Sequence, residues 1–236
     1  MRSPLNVTPL AAATLILAVP ASALAASSQD WTGCYAGVNA GYVWADMSST
    51  GLYAAYGIPN EHLGSKQAAG GVLGGQLGCD YQREQWVIGA QAALQFADAK
   101  ADHAYPGGTS SNNRVEYDLQ QIGTLTARLG YLLQPQTLGY VTAGMVWGKT
   151  EFTDSDPTPG YDYPPYDVSK DIDRTGWTLG LGVEHRLQKQ LTVFAAYNYM
   201  DLGDEKFSLH YPDGFTERFK LEQDQSLLTL GLNYRF

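Results

Sequence analysis

Positive charge is scarce in this chain. Its 236 residues carry 15 Lys and Arg against 24 Asp and Glu, a formal net charge of −9. A nucleic-acid groove needs clustered cations to replace counterions along phosphates, so that class of partner is excluded. Cysteine is nearly absent, with only Cys34 and Cys79. Past the first thirty residues no apolar run reaches eighteen, which excludes a helical membrane span. Charged residues are only 17% of the chain while hydrophobic ones reach 44%, which argues against disorder. The usual punctuation of enzymes is missing as well: no G-x-S-x-G elbow, no H-E-x-x-H helix and no C-x-x-C pair occurs. Gly148-Lys149-Thr150 has the ending of a phosphate-binding loop, but the glycine required at position 143 is Ala143.

What is abundant begins at the N-terminus. The run Leu10 to Val19 is apolar, followed by Pro20 and the small-residue stretch Ala21-Ser22-Ala23-Leu24-Ala25. This pattern predicts a signal peptide over 1–25, leaving 26–236 as an exported chain. Export makes a bridge between the two cysteines chemically permissible. Trp31-Thr32-Gly33-Cys34 loosely matches a lipoprotein box, but Ser27-Ser28-Gln29-Asp30 separate it from the apolar run, so lipidation is not expected.

From Trp31 onward hydrophobicity alternates with period two. Eight segments follow, at about 31–45, 68–82, 85–97, 117–132, 138–151, 172–187, 191–203 and 223–236. Each is at least as long as the roughly 9–11 residues with which a tilted strand crosses a bilayer. Every proline after the leader, from Pro59 to Pro212, falls between segments, where no ladder donor is required. Connections alternate between short turns (Arg83-Glu84, about Gln134 to Gln136, about Gln188 to Gln190) and long stretches at about 46–67, 98–116, 152–171 and 204–222. The sequence therefore predicts an all-β fold: an eight-stranded antiparallel up-and-down transmembrane β-barrel with four long outer loops.

The two faces of each segment indicate the solvent. Trp86, Ile88, Ala90, Ala92, Leu94 and Phe96 share one face of segment three, and Leu228, Leu230, Leu232, Tyr234 and Phe236 one face of the last. The opposite faces are small and polar, as in Thr178, Gly180, Gly182, Glu184 and Arg186 of segment six. A large apolar set edged with Trp and Tyr beside a Gly-rich polar set suits a barrel with lipid outside and a crowded lumen inside. The predicted lumen network is Asn39, Asp80, Gln91, Arg128, Glu184, Arg186 and Arg235, with Tyr35 as further filling. Eight strands enclose a space just wide enough for side chains, so these charges are read as a paired plug, not as a catalytic or conducting site. Pairing across the first turn is expected to set Tyr81 beside Trp86 and Leu77 beside Ala90. Across the third turn it sets Leu181 beside Tyr197 and Leu179 beside Tyr199.

Cys34 and Cys79 share the outward face and, with the ends of their strands level, oppose one another. Opposed Cβ atoms lie roughly 4.5–5.5 Å apart, longer than the roughly 3.8 Å of a disulfide. Two unlinked side chains at the lipid boundary and a bridge closed by local twist both remain open, the first slightly favoured. His62, His103 and His210 fall one in each of three long stretches. Asp154, Asp156, Asp162, Asp167 and Asp171 lack calcium-loop spacing and read as a solvated acidic loop. No cofactor and no metal is expected.

Certain motifs carry a family likeness. Asp30 to Gly37 (DWTGCYAG), Gly123 to Tyr131 (GTLTARLGY), Tyr140 to Gly144 (YVTAG), Gly176 to Glu184 (GWTLGLGVE) and the terminal Gly231 to Phe236 (GLNYRF) resemble the small outer-membrane β-barrel surface antigens of alphaproteobacteria, the outer-membrane immunogenic protein family. The resemblance implies location in the outer membrane of a Gram-negative bacterium and a C-terminal signal, Tyr234 and Phe236, read by the barrel-assembly machinery. It implies contact with outer-membrane lipid and a host or envelope partner at the outer loops, and, because some relatives bind haem, it makes His62, His103 and His210 the candidates for haem capture. This chain departs from the family at Cys34 and near Cys79, where an aromatic residue is common. It departs again in segment seven, whose inward Phe194, Ala196 and Asn198 replace the usual charges.

The leading expectation is thus a non-enzymatic outer-membrane barrel with structural and surface-display roles and a closed lumen. The alternatives are capture of haem or another small ligand by the outer loops, a membrane-embedded lipid-modifying enzyme, and a narrow pore.

Overall fold

The computed structural model describes residues 30–51, 61–104, 114–156, 166–210 and 216–236. The leader expected over 1–25 lies outside the described residues. The chain forms eight strands: β1 Gly33–Gly51, β2 Glu61–Arg83, β3 Trp86–Ala104, β4 Arg114–Gln134, β5 Thr137–Asp156, β6 Tyr166–Arg186, β7 Leu191–His210 and β8 Thr216–Arg235. Each pairs with its neighbours in sequence, and β1 closes on β8 to complete the barrel.

The short-turn ends fall within two residues of the boundaries drawn from alternation, because the apolar period persists to the turn. The other ends do not. The stretches read as loops, 46–67, 98–116, 152–171 and 204–222, are in large part ladder: β1 runs on to Gly51 and β2 begins at Glu61. Past the lipid-facing belt the outward apolar set ends, and backbone pairing, which needs no particular side chain, continues without that alternation to reveal it.

Register agrees at the third turn, with Leu181 opposite Tyr197 and Leu179 opposite Tyr199. At the first turn the expected pairing is displaced by two residues. Tyr81 pairs with Ile88 and Arg83 with Trp86, so the turn is Glu84-Gln85. Glu84 takes φ 57°, the left-handed value that a two-residue hairpin favours, and its carbonyl accepts a hydrogen bond from Gln82 Nε2 at 2.8 Å. A slip of two keeps each side chain on its own face, which is why hydrophobic patterning alone did not separate the two registers.

Burial is inverted relative to a water-soluble barrel. Glu184 is 1% and Arg128 2% accessible, while Leu73 is 67% and Leu77 59%. On β3 the outward apolar set spans Trp86 to Phe96. Ten steps of about 3.3 Å, tilted by about 40°, give a band of about 25 Å, the height of a bilayer-facing belt. Trp86 packs edge-on against Tyr131 at one rim (5.0 Å between centroids), and Trp177 against Tyr199 at the other (5.7 Å). Immediately beyond the second rim the exposed outward positions turn polar: Asp46, Asp98, Gln121, Asp173 and Asp224.

Cys34 and Cys79 oppose one another as expected, and the structure joins them in a disulfide where the strands draw in to a Cα–Cα distance of 3.9 Å. That close approach removes the objection raised by standard ladder spacing. The bridge spans 45 residues of sequence and staples the β1–β2 hairpin. Replacing both cysteines with serine should lower unfolding stability by about 2–4 kcal/mol. The comparison is the urea midpoint of oxidised, reduced and doubly substituted protein. Equal midpoints would show that the ladder holds this hairpin without the bond.

Candidate functional site

Four of the seven predicted lumen residues meet in one cluster near the short-turn end. Asp80 comes from β2, Arg128 from β4, Glu184 from β6 and Arg235 from β8, all at inward positions of alternate strands. Arg128 Nη2 donates to Glu184 Oε2 at 2.5 Å and Arg128 Nη1 to Asp80 Oδ2 at 3.4 Å. Arg235 Nη2 donates to Asp80 Oδ2 at 2.9 Å and Arg235 Nη1 to Glu184 Oε1 at 3.5 Å. Two cations and two anions alternate around a square whose net charge is zero. Such neutrality is what allows ions to remain charged away from water.

Neutral side chains extend the square into a closed hydrogen-bond circuit. Arg128 Nη1 donates to the Tyr35 hydroxyl (3.2 Å), and that hydroxyl donates to Gln91 Oε1 (2.9 Å). Gln91 Nε2 donates to Gln76 Oε1 (3.3 Å), and Gln76 Nε2 to Asn233 Oδ1 (2.7 Å). Asn233 Nδ2 returns to Glu184 Oε1 at 3.1 Å, and Thr192 Oγ1 donates to the same oxygen at 2.5 Å. The circuit links side chains from opposite walls of the barrel, while Asp80 Oδ1 and Arg128 Nε stay buried without a hydrogen-bond partner among the described residues.

Aromatic rings pack the square from two sides. The Arg128 guanidinium lies 3.9 Å above the Tyr140 ring, and Arg186 and Arg235 lie 4.7 and 5.1 Å from Trp31. Trp31 is fully buried just before β1, at the short-turn end; its backbone amide donates to Gln82 Oε1 and its carbonyl accepts from Arg235 Nη2. The rings of Tyr35 and Tyr140 lie where a Cβ on Gly78 or Gly182 would stand, so those two inward glycines make room for them.

Of the other predicted members, Gln91 joins through Tyr35, whereas Arg186 stands apart and donates to the Asp30 carbonyl at 2.9 Å. Asn39 is buried on the same inward face but has no hydrogen-bond partner among the described residues. Gln76, Asn233, Tyr140 and Thr192 were missed as members. All four are inward by parity, and the distinguishing signal would have been polarity at inward positions, regardless of charge. His62, His103 and His210 lie on strand extensions, with backbones opposite Thr50, Val115 and Thr216. This corrects their assignment to loops; their side chains lie outside the described residues. Of the acidic group, Asp162 also lies outside them, and Asp154, Asp156, Asp167 and Asp171 stand on the β5–β6 ladder.

Toward the opposite end the lumen changes character. Val43, Val72, Leu119, Ile122, Val146, Met200, Leu202 and Leu227 form a buried apolar layer across the barrel. Alternation marks all of these but Leu119 as inward, and the expectation of a polar interior hid their role; Leu119 has the opposite parity and is turned inward by the bulge between it and Gln121. Between this layer and the charged square lies a cavity of about 20 Å³ lined by amides and hydroxyls, among them Gln76, Gln91, Gln95, Thr126 and Thr142. It has room for one or two waters.

A closed eight-stranded barrel with an apolar exterior and a charged interior is the geometry of an outer-membrane protein. The sequence model of the outer membrane protein beta-barrel domain matches residues 11–236. The chain belongs to that family. Its members span the outer membrane of Gram-negative bacteria, and the short turns here therefore face the periplasm. Among curated relatives, the 31 kDa outer-membrane immunogenic protein of Brucella melitensis is 28% identical over 232 residues, covering 95% of this chain and 92% of that protein. The 25 kDa outer-membrane immunogenic protein of Brucella abortus is 28% identical over 218 residues, covering 92% of this chain and 85% of that one. Among solved structures, the outer membrane protein OprG of Pseudomonas aeruginosa superposes with a TM-score of 0.54 at 18% identity, over 88% of this chain and 98% of that one. That similarity speaks for the fold alone.

Proposed function

We propose that the protein is a non-enzymatic barrel whose roles are structural and surface display, with a lumen closed to solutes. The observation that carries this reading is the pairing of two seals in one lumen: a neutral, hydrogen-bonded square at the periplasmic end and an apolar layer toward the outer end. An ion crossing the lumen would have to displace a guanidinium from two carboxylates and then shed water among valines and leucines. The immunogenic character named for the Brucella relatives supports exposure of the outer connections at the cell surface. The partners that follow are outer-membrane lipid along the belt, the assembly machinery at the C-terminal strand, and a host or envelope molecule at the outer ends.

Purified protein in planar bilayers should show no stable openings of porin size. Substitution of Arg128 or Glu184 should raise leak before it raises discrete conductance, since either change uncovers one charge of the square. Porin-size openings in the unmodified protein would overturn the closed lumen, and transfer of acyl chains from phospholipid by the same preparation would overturn the non-enzymatic reading.

A further inference from the structure

The Cys34–Cys79 disulfide sits on the lipid side of the barrel wall. Cys79 lies two residues further from the short-turn end than Tyr81 on the outward face of β2, and Leu77 and Leu73 continue that face. Two residues of a strand tilted by about 40° climb about 5 Å. The bridge therefore stands inside the periplasmic aromatic rim, among the first lipid-facing side chains of the belt. Ala90 of β3 lies opposite Cys79, and Ala36 and Leu77 form the next outward pair of the β1–β2 ladder. Cys79 is exposed on this face and Cys34 half-buried, so in the membrane acyl chains cover the bond.

Two features separate the making of this bond from the making of the barrel. First, both cysteines belong to one hairpin. β1 and β2 are consecutive, 45 residues of sequence separate the sulfurs, and no other strand is needed to bring them together. Closure of the wall waits for β8, since its ladder with β1 joins Tyr35 to Arg235, near the two ends of the barrel sequence. Second, the two events need different surroundings. Thiol–disulfide exchange proceeds by attack of a thiolate on a sulfur it can reach. In the inserted barrel the outward neighbours Ala36, Leu77, Tyr81 and Ala90 include no cation, and a water-soluble protein cannot follow the sulfurs past the rim. On the unfolded chain in the aqueous periplasm, both sulfurs meet water.

We propose that the Cys34–Cys79 bond is made before the barrel enters the membrane, by a soluble disulfide-bearing oxidant of the thiol–disulfide oxidoreductase class acting on the exported, unfolded chain. One cysteine thiolate attacks a sulfur of the oxidant's disulfide, forming a mixed disulfide and releasing the oxidant's other sulfur as a thiolate. The second cysteine thiolate then attacks the sulfur of the first and displaces the oxidant. One S–S bond breaks and one forms, two electrons pass to the oxidant, and the two protons lost by Cys34 and Cys79 are balanced by those its two sulfurs take up. The membrane then receives a bridged hairpin, whose Cys34 carbonyl accepts the Phe236 amide at 2.9 Å as the β1–β8 seam closes. Lipid thereafter shields the bond from soluble dithiols.

Two experiments on the full chain test this order. In cells, newly made protein is labelled in a short pulse and each time point is divided. One portion, run unheated, gives the folded fraction from its heat-modifiable migration. The other, denatured with a maleimide mass tag, gives the fraction without free thiols. The bridged fraction is expected to lead the folded fraction throughout the chase. A bridged fraction that keeps pace with the folded one, or lags it, would overturn the proposal.

In the second experiment the purified oxidised barrel, in lipid nanodiscs open to solvent at both ends, meets a reduced soluble dithiol protein. Exchange passes through the same mixed disulfide in either direction, so reduction reports access to the bond. Reduction is expected to be roughly tenfold or more slower in nanodiscs than for the same chain in urea, whereas a small lipid-soluble thiol such as butanethiol is slowed much less. Comparable rates with the dithiol protein would leave the bond within reach of the periplasm after insertion and overturn the proposal. Equal slowing of both reductants would assign the protection to the fold instead of lipid, with the same consequence.

Discussion

Replacing Glu184 with alanine is expected to lower the stability of the folded barrel by about 3–5 kcal/mol, the cost of stranding buried charge. Glu184 is 1% accessible and accepts from Arg128, Arg235, Asn233 and Thr192. Its removal leaves two guanidiniums facing Asp80 alone, so the buried square acquires a net positive charge. E184Q keeps volume and some hydrogen bonding and should lose less. The combination E184Q/R128M removes one charge of each sign and leaves the Asp80–Arg235 pair at 2.9 Å intact. It should therefore recover part of the loss despite deleting more contacts, because balance matters more than the number of bonds. Urea unfolding in lipid vesicles, followed by tryptophan fluorescence, measures all three. If E184A falls within about 1 kcal/mol of the parent, water must reach and screen the square, and the closed lumen fails with it.

Deleting Phe236 is expected to empty the outer membrane of this protein while leaving the refolded barrel nearly as stable as before. Phe236 continues the outward set Leu228, Leu230, Leu232 and Tyr234, is 54% accessible on the lipid side, and donates its amide to the Cys34 carbonyl at 2.9 Å. The side chain contributes at most a few kcal/mol of apolar burial at the periplasmic rim. A recognition signal acts differently, since every nascent chain that lacks it is missed by the machinery we propose reads it. Two measurements separate the effects: outer-membrane abundance in cells, and the unfolding midpoint of protein refolded into vesicles. Wild-type abundance of the deletion would remove Tyr234 and Phe236 from any assembly role. A large fall in the midpoint would assign the defect to stability.

Alternation made most of this architecture legible before any coordinates. A lipid-facing strand has a solvent on one side that tolerates no charge and a packed lumen on the other, so Trp86 to Phe96 or Leu228 to Phe236 betray both their strand and their face. The same alternation marked Asp80, Arg128, Glu184 and Arg235 as inward, and level strand ends brought Cys34 opposite Cys79. Where the constraint relaxes, so does the legibility. Beyond the belt the outward face no longer has to be apolar, and the ladders continuing to Gly51 or His210 were hidden in what looked like loops.

By itself, then, the sequence determined strand number and membrane-facing parity, because each follows from the local demand of lipid for apolar side chains at every second position, while the family likeness carried the outer-membrane location. Tertiary structure alone decided the rest. Which inward charges form a square and which, like Arg186, stand apart depends on strand stagger around the closed barrel, which no single segment encodes. The two-residue displacement of the first hairpin came from the backbone conformation of Glu84, invisible to a pattern of period two. The Cys34–Cys79 bond depended on how closely β1 and β2 approach at one rung. The end of the β6–β7 ladder at Trp177↔Asp201, next to the β7 bulge against β8, shows in neither strand's own alternation.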